Sequence, residues 1–300
     1  MFTTLMNLFA SSSRRVSNEI ARPRALPKIM DTVFHRRPPN FSLASPRVSP
    51  FDLAMNPFQD GRVKAVYVIH VAKFTDRAAH VKAELGKFDI PFEFILAHDA
   101  DVLDQAVLDR YLAPGGPLLP RDLSVILKHM DAFRRVATNR YPLALVLEDD
   151  VVLSERFNEE LSAIVDEARG FDHPFTIQIG CANNMYVPEH LLQPGRRLYP
   201  ANEVRAADAY LINAEAARRR LEWMENNRFD RTGPHIYNTI DPQLGIRIYW
   251  SSPTIVEQGS MNGLFRSTLP SKRENKPLWF WKWKFAFKRL RKKQLTRFFK

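Results

Sequence analysis

The stretch YPLALVLEDDVVL, residues 141–153, decides how the rest of the chain is interpreted. Five apolar residues, Leu143 to Leu147, run directly into Glu148, Asp149 and Asp150. A short, continuous apolar run is typical of a strand that is buried on both faces of a sheet. The sequence therefore predicts a buried strand whose carboxyl end carries three adjacent carboxylates.

The segments on either side of this strand alternate between β and helical patterns. Because such alternation is typical of parallel sheets with crossover helices, we predict an α/β fold with helices flanking a parallel sheet. One domain over residues 61–270 suits the length of the chain. The β-rich runs lie at 63–71, 91–99, 175–180, 208–213, 245–250 and 253–258, and the segments with helical spacing at 75–88, 101–112, 122–138, 154–168 and 214–224.

The N-terminal segment, residues 1–60, differs in composition from this domain. It is rich in Arg, Ser and Pro and poor in acidic residues, which fits either an organellar transit peptide or a disordered extension. We favour the extension, and Met55 is a candidate for the true start. The single cysteine, Cys181, rules out an internal disulfide, fits a reducing compartment and is interpreted as a buried, inert thiol.

The carboxyl-terminal segment, residues 271–300, carries the whole charge excess of the protein. It contains 12 of the 44 basic residues and one of the 33 acidic residues, so the remainder balances at 32 against 32. Eight aromatic residues are interleaved with these basic residues. On a helical projection, an apolar side and a basic side separate, which predicts an amphipathic helix lying in an anionic membrane interface. The residues assigned to this docking are Trp279, Trp283, Phe287, Leu290, Lys282, Lys288 and Arg291.

Nucleic acid is the competing partner for this tail, because aromatic and basic residues together also suit base stacking and phosphate contact. A solvated charge run is the third interpretation. Three tryptophans within five residues, at 279, 281 and 283, are costly to leave in water. We therefore put the membrane first.

The three carboxylates at 148–150 need compensation, because adjacent ionised groups repel one another. Ligand sites in open α/β sheets form at the carboxyl ends of strands, and a divalent cation with oxygen ligands is an economical partner there. Two structural alternatives remain open at this point. The carboxylates could form a solvated strand end, or they could cap the helix that begins near Ser154.

Six segments occur in an order that resembles a known family. The resemblance is to the glycosyltransferase family that includes bacterial lipooligosaccharide-biosynthesis galactosyl- and glucosyltransferases and the collagen galactosyltransferases, and it covers roughly residues 63–270. It implies a GT-A type fold with a Rossmann-like sheet, a UDP-hexose donor, Mn²⁺, an inverting displacement and a surface glycolipid or lipopolysaccharide acceptor. The segments are VYVIHVAKFTDRAAHVKAEL, LSVILKHMDAFRRV, LALVLEDDVVL, AYLINAEAARRRL, IDPQLGI and PTIVEQ…RST.

The resemblance also implies roles for the acidic residues. Asp150 falls on the direct metal ligand, while Glu148 or Asp149 would act at the metal through water or at the ribose. Asp241 falls on the catalytic base by its place in the motif, and Asp208 is the second candidate for that role. A carboxylate in a turn is the plain alternative for Asp241, because Asp-Pro dipeptides favour turns.

Three further residues are candidates for donor binding. Arg77, in the family's Asp-Arg pair, would bind the diphosphate, with a surface salt bridge as its alternative. His129, in the position of a Ser-His pair, lies on an apolar helix face where a core histidine is the alternative. Asp99, after the second strand, is a candidate for the nucleotide base or ribose, and a loop role is its alternative.

Two departures from the family pattern bear on function. The first strand ends in IHVAK where the family has an Asn-Leu-Asp type of sequence. SVI replaces the usual Gly-Glu before the Ser-His pair, in which Lys128 takes the place of the serine.

The resemblance and the basic, aromatic tail together predict a cytoplasmic hexosyltransferase lying peripherally on the inner face of a membrane. The alternative is a non-catalytic membrane- or nucleic-acid-binding protein that retains a degenerate transferase domain.

Overall fold

A computed structural model describes residues 56–265, 277, 279–280 and 282–289. Nine strands and seven α-helices lie between Ala65 and Asn262, together with two 3₁₀ turns at Ala100–Val102 and Glu189–Leu191. The strands are β1 Ala65–Ile69, β2 Glu93–Ile95, β3 Ala144–Glu148, β4 Val151–Leu153, β5 Phe175–Gln178, β6 Leu198–Ala201, β7 Ala209–Ile212, β8 Arg247–Ser251 and β9 Val256–Gln258. The helices are α1 Thr75–Gly86, α2 Gln105–Tyr111, α3 Pro120–Thr138, α4 Phe157–Ala168, α5 Ala214–Glu225, α6 Gly233–Gln243 and α7 Gly259–Asn262.

Seven strands form one twisted sheet in the order β2-β1-β3-β7-β5-β8-β6. The pairs β1–β2, β1–β3 and β5–β8 are parallel, whereas β7 and β6 run antiparallel to their neighbours. Five of the seven strands therefore point the same way. A small second sheet joins β4 to β9 in antiparallel fashion directly after the acidic stretch.

The strand β3 lies at the centre of this sheet and is buried on both faces. Leu145 and Leu147 pack into the apolar cluster formed with α1 and α4. Ala144 and Val146 point to the opposite cluster, which α3, α5 and α6 cover. The predicted α/β fold with helices on both faces is confirmed, and the apolar run of β3 is continuous because both of its faces meet protein.

Three features differ from the sequence prediction. The segment at 208–213 forms a strand, but it lies antiparallel between β3 and β5. Neither β6 nor α6 was predicted, since β6 includes Pro200 and α6 includes Pro242, residues that usually interrupt such elements. The hydroxyl side chains of Thr75 and Ser154 make them the N-caps that the sequence predicts for α1 and α4, but the N-caps are Phe74 and Arg156.

Residues 279–280 and 282–289 are helical, which agrees with the predicted tail helix. Phe285 is 6% exposed, and its carbonyl accepts a hydrogen bond from Asn184 Nδ2. Arg289 forms an ion pair with Glu257 in β9. The helix is thus held against the domain through one aromatic side chain and one charge. The predicted docking residues Leu290 and Arg291, and the extension over 1–55, lie outside the described residues.

Candidate active site at the carboxyl end of strand β3

The acidic stretch occupies the junction between the two sheets. Glu148 ends β3, and β4 begins at Val151, so Asp149 and Asp150 form the turn between them. The carbonyl of Asp150 accepts a hydrogen bond of 2.7 Å from the N–H of Gly259. A Cβ atom at position 259 would lie 2.7 Å from that same carbonyl oxygen. The glycine therefore allows the backbone after β9 to close directly onto the acidic turn.

Asp149 has its charge compensated within the protein. Its Oδ2 lies 2.7 Å from Nδ1 of His70, and its Oδ1 accepts a 2.8 Å hydrogen bond from Arg77. His70 belongs to the sequence IHVAK, by which the end of β1 departs from the family pattern. In this chain, the departure IHVAK therefore supplies a buried partner for the second carboxylate.

Asp150 and Asp208 are buried, and three of their four carboxylate oxygens have no hydrogen-bond partner among the described residues. The fourth, Oδ2 of Asp150, accepts a 2.9 Å hydrogen bond from the N–H of Ser260. Burial raises the pKa of Asp150, against the opposing influence of Arg77 and Ser260. Burial, and next the neighbouring Asp150, raises the pKa of Asp208 to about 7.

The antiparallel course of β7 brings Asp208 to this place. Because β7 runs against β3, Ala209 at its start pairs with Leu147 near the end of β3. The N–H of Glu148 accordingly donates a 2.8 Å hydrogen bond to the carbonyl of Asp208. Gly180, after β5, gives the carboxylate its room, since a Cβ atom there would lie 2.6 Å from Oδ2 of Asp208.

Glu148 is held on two sides. Its Oε2 accepts a 2.9 Å hydrogen bond from Gln258 in β9, and its Oε1 lies 4.0 Å from Nε2 of His129. The side chain is 24% exposed. Desolvation by the surrounding protein, followed by the charges of Asp150 and Asp208, raises its pKa well above the ordinary value.

His129 is a neutral, buried residue behind Glu148. Its Nδ1 lies 2.8 Å from the hydroxyl of Tyr210, and burial together with Arg220 lowers its pKa to about 3. The residue is therefore a core histidine that also borders the acidic site, and its role in donor binding stays a prediction.

Lys128 and Asp99 form an ion pair beside the carboxyl ends of β1 and β2. Lys128 is fully buried and lies 2.7 Å from Asp99, and it also donates to the carbonyls of Leu96 and Ala97. The other oxygen of Asp99 accepts a 3.1 Å hydrogen bond from the N–H of Ala72. Burial lowers the pKa of Lys128 despite the carboxylate beside it. The pair joins the loop after β1 to the loop after β2.

Asp241 lies in a different environment from the acidic stretch. It is fully buried near the end of α6, and both of its oxygens accept hydrogen bonds from Arg220 of α5, at 2.9 and 2.5 Å. The guanidinium of Arg220 lies 4.1 Å from the centre of the Tyr237 ring. An aspartate held in this way stabilises the packing of α5 against α6. Its geometry gives no support to the predicted role of catalytic base.

Asp150 has a free carboxylate oxygen that could bind a divalent cation whose other ligands are diphosphate oxygens. Among the described residues, no group of three or more His, Cys, Asp or Glu side chains is arranged to hold a metal ion by itself. Mg²⁺-like cations, however, are commonly held by one or two carboxylates together with phosphate oxygens and water. The unpartnered Oδ1 of Asp150, with Glu148 beside it, fits that arrangement.

The structure brings together five of the predicted site residues, Arg77, Glu148, Asp149, Asp150 and Asp208, with His129 directly behind them. Asp99 borders the neighbouring loops, whereas Asp76 and Gln243 of the quoted motifs are exposed. Sequence analysis missed His70, Gln258 and the N–H of Ser260 as partners of the carboxylates. The glycines at 180 and 259 were the available signal, since an isolated glycine beside a strand often marks a close approach of another group.

Comparison with known proteins identifies the family of this chain. The sequence profile of glycosyltransferase family 25, described as an LPS biosynthesis protein, matches residues 63–232. That match covers more than half of the chain and includes both Asp150 and Asp208. The chain therefore belongs to glycosyltransferase family 25, and the resemblance drawn from the six sequence segments is confirmed.

Two curated proteins are similar to this chain. A Haemophilus influenzae protein assigned as a glycosyltransferase is 25% identical over 174 residues, which cover 55% of this chain and 59% of that protein. The lacto-N-neotetraose biosynthesis glycosyltransferase LgtE of Neisseria gonorrhoeae is 25% identical over 234 residues, covering 69% of this chain and 81% of LgtE. Both relatives are transferases by name, in agreement with the family.

The raised pKa of Asp208 predicts how stability depends on pH when no metal is bound. An unfolded aspartate titrates near 3.8 and the folded Asp208 near 7, so between these values the folded chain holds a proton that the unfolded chain has lost. The free energy of unfolding should therefore fall as the pH rises through this window. In chelator, we expect Asp208→Asn to reduce by several degrees the drop in melting temperature between about pH 5.5 and about pH 7.5.

The matched control is Glu155→Gln, because Glu155 is exposed and its side chain has no hydrogen bond or ion pair among the described residues. This variant should keep the pH dependence of the wild type. An identical drop in melting temperature for wild type and Asp208→Asn would contradict the assignment of the buried proton to Asp208.

Proposed function

We propose that this chain transfers a hexose, galactose or glucose, from a UDP-sugar to a hydroxyl of a surface glycolipid or lipopolysaccharide acceptor, with inversion at the anomeric carbon. The proposal takes the reaction class from the family and the acceptor class from the family description and the name of LgtE. The single observation that carries it is the unequal compensation of the carboxylates. Asp149 is paired inside the protein, whereas Asp150 and Asp208 offer unpartnered oxygens at the carboxyl edge of the sheet.

Binding of the donor is assigned to the loops that follow β1, β2 and β3. Asp150, assisted by Glu148, would hold a divalent cation, for which Mn²⁺ is our expectation, and the sheet would serve as a GT-A type scaffold. When bound, such a cation neutralises the diphosphate and the charge that develops on it as the leaving group. Arg77, which already lies beside Asp149, adds positive charge on the same side of the site. Asp99, fixed by Lys128 and by the N–H of Ala72, is assigned to the wall of the nucleotide pocket.

The base for the acceptor is assigned to Asp208. As its carboxylate takes the proton of the acceptor hydroxyl, the oxygen forms a bond to the anomeric carbon from the face opposite the diphosphate. The bond between that carbon and the diphosphate oxygen breaks at the same time, and UDP leaves with the electron pair. Burial supports this role, because a carboxylate excluded from water is a stronger base than an exposed one.

Turnover of the donor tests this assignment. We expect UDP release from UDP-galactose or UDP-glucose, with lactose offered as acceptor, to be lower by about 100-fold or more in Asp208→Asn, because one general base typically contributes that much. The melting temperature of the variant should stay within a few degrees of the wild type. The anomeric configuration of the product, read by NMR, should be β, which is inverted relative to the α-linked donor.

Asp241→Asn separates the two candidates for the base. This variant leaves Arg220 without its buried partner, so we expect a loss of about 3 to 5 kcal/mol of stability, measured by urea unfolding. Normal turnover in Asp208→Asn would contradict the assignment. Absence of UDP-sugar binding and turnover in the wild type would favour the non-catalytic alternative.

We also propose that the tail helix docks this enzyme peripherally on the cytoplasmic face of an anionic membrane. No helix in the described part of the chain is long and apolar enough to cross a bilayer. On the tail helix, Trp279, Trp283 and Phe287 follow one another at four-residue intervals and are 70, 62 and 50% exposed. Phe285, which faces the domain, lies about half a turn away from them. Lys282 and Lys288 flank the exposed aromatic stripe, a pattern that suits the interface of anionic lipids.

Vesicle sedimentation tests the docking. We expect full-length protein to bind vesicles that contain phosphatidylglycerol and to bind pure phosphatidylcholine much less, and added salt should weaken the binding. Joint replacement of Trp279, Trp283 and Phe287 by Ala should weaken it by about 10-fold or more, because each aromatic buries apolar area in the interface. Val102→Ala is the control, since Val102 is 75% exposed outside the tail. Equal binding by the triple variant and the wild type would contradict the docking.

A further inference from the structure

A groove of about 360 Å³ lies at the edge of the sheet beside β6 and β8. Its size is within the range of small-molecule binding sites. Its lining contains none of the carboxylates of the acidic site, and the transfer reaction proposed above does not use it. Side chains that line it include Val187, Leu191, Tyr199, Asn202, Glu203 and Trp250.

Two aromatic rings in this groove are held rigidly. The indole N–H of Trp250 donates a 2.7 Å hydrogen bond to the carbonyl of Glu203. The hydroxyl of Tyr199 accepts a 2.8 Å hydrogen bond from the N–H of Gln193. Arg205 and Arg196 cover one face of each ring, at 4.6 Å from the centre of Trp250 and 4.9 Å from that of Tyr199. Trp250 is partly exposed and Tyr199 is 5% exposed, so Trp250 supplies most of the preorganised aromatic surface of the groove.

Polar groups stand next to these rings. Asn202 and Glu203 are exposed at the groove, and neither side chain has a hydrogen bond or an ion pair within the described part of the chain. A hexose ring presents apolar C–H groups on its faces and hydroxyl groups around its rim. A fixed aromatic surface beside free amide and carboxylate groups complements both of these features.

The groove is joined to the acidic site by a short, rigid path. Only four residues lie between Glu203 and Asp208, so their Cα atoms are five steps and at most about 18 Å apart. Between them, Arg205 is buried and donates to the carbonyls of Gln178, Gly180 and Ser251. Gly180 in turn packs against the Asp208 carboxylate. A chain of a few sugar units is long enough to span this distance.

We infer that this groove binds the saccharide portion of the acceptor, one or a few sugar units away from the hydroxyl that reacts. The inference rests on the proposed function, because it places the groove along the path to Asp208. The loop that begins at Gly180 also supports a membrane-anchored saccharide as the ligand of the groove. Its Asn184 holds the tail helix, and its Val187 lines the groove, so the groove lies next to the segment assigned to the lipid surface. The glycan of a membrane-anchored acceptor is the ligand that would meet both.

Saturation-transfer NMR with lactose as the probe tests the groove on the full-length chain, without donor. We expect lactose to bind the wild type and to bind Asn202→Ala/Glu203→Gln with an affinity lower by about 5-fold or more, because two hydrogen-bonding groups are removed. Trp250→Leu should weaken binding by a similar factor. Asn202 and Glu203 are exposed, so their double variant should fold and still tests the groove if Trp250→Leu does not fold. Asp172→Asn serves as the control for a surface charge change and should bind lactose normally.

Binding and hydrolysis of the donor are measured on the same variants. These measurements distinguish a failure of the saccharide groove from a failure of the proposed transferase function. UDP binding and the slow hydrolysis of UDP-galactose in water should be unchanged in the groove variants, while the KM for lactose in transfer rises. Lactose binding that is absent in the wild type, or equal in wild type and groove variants, overturns the groove assignment. Loss of UDP-sugar turnover in the wild type with lactose binding at the groove intact would count against the proposed function and leave the saccharide site standing.

Discussion

The structure depends on how the negative charge at the end of β3 is compensated. Like charges a few ångströms apart, away from bulk water, repel one another by several kcal/mol. One member of the acidic stretch, Asp149, forms an ion pair with Arg77 and a hydrogen bond with His70 within the protein. Asp150 and Asp208 form no ion pair among the described residues, and burial is the main reason that their pKa values are raised. The proposed cation at Asp150 and the proposed base at Asp208 both rest on this difference from Asp149.

Topology makes this concentration of charge possible. A parallel strand in place of β7 would begin at the far edge of the sheet, and Asp208 would lie well away from Glu148. The antiparallel course instead brings the start of β7 beside the end of β3. Gly180 and Gly259 then let neighbouring backbone approach the two carboxylates without a clash. Strand β9 closes the site, with Gln258 on Glu148 and Glu257 on Arg289 of the tail helix.

Much of the fold could be predicted from sequence, because strands such as β3 and helices such as α3 have unambiguous apolar patterns. The position of the carboxylates at a strand end could be predicted for the same reason. The direction of β7 could not, since a buried strand of four residues has the same composition in either orientation. Phe285, an aromatic residue of the tail helix that lies outside the stripe of Trp279, Trp283 and Phe287, shows the same limit. Its role becomes clear only when the domain surface that buries it is known.

The environment of Asp241 shows why a sequence motif alone does not identify the catalytic base. An aspartate before a proline has the same letters whether it lies in an open turn or within a helix. Here it lies inside α6, and its partner Arg220 is 21 positions away, on another helix. Asp208 was the second candidate from sequence because nothing in DAYLIN indicates that both oxygens lack partners. That property arises from the packing of β7 beside β3 and β5.

Calorimetric titration of UDP-galactose and UDP-glucose tests the central claim most directly, with Mn²⁺ or chelator present, on wild type and on Asp150→Ala. We expect at least one of the two donors to bind only when Mn²⁺ is present, and this binding to be lost in the variant. The reason is that the carboxylate proposed to join the cation to the diphosphate is that of Asp150. Equal binding with Mn²⁺ and with chelator, or binding retained in Asp150→Ala, would contradict it.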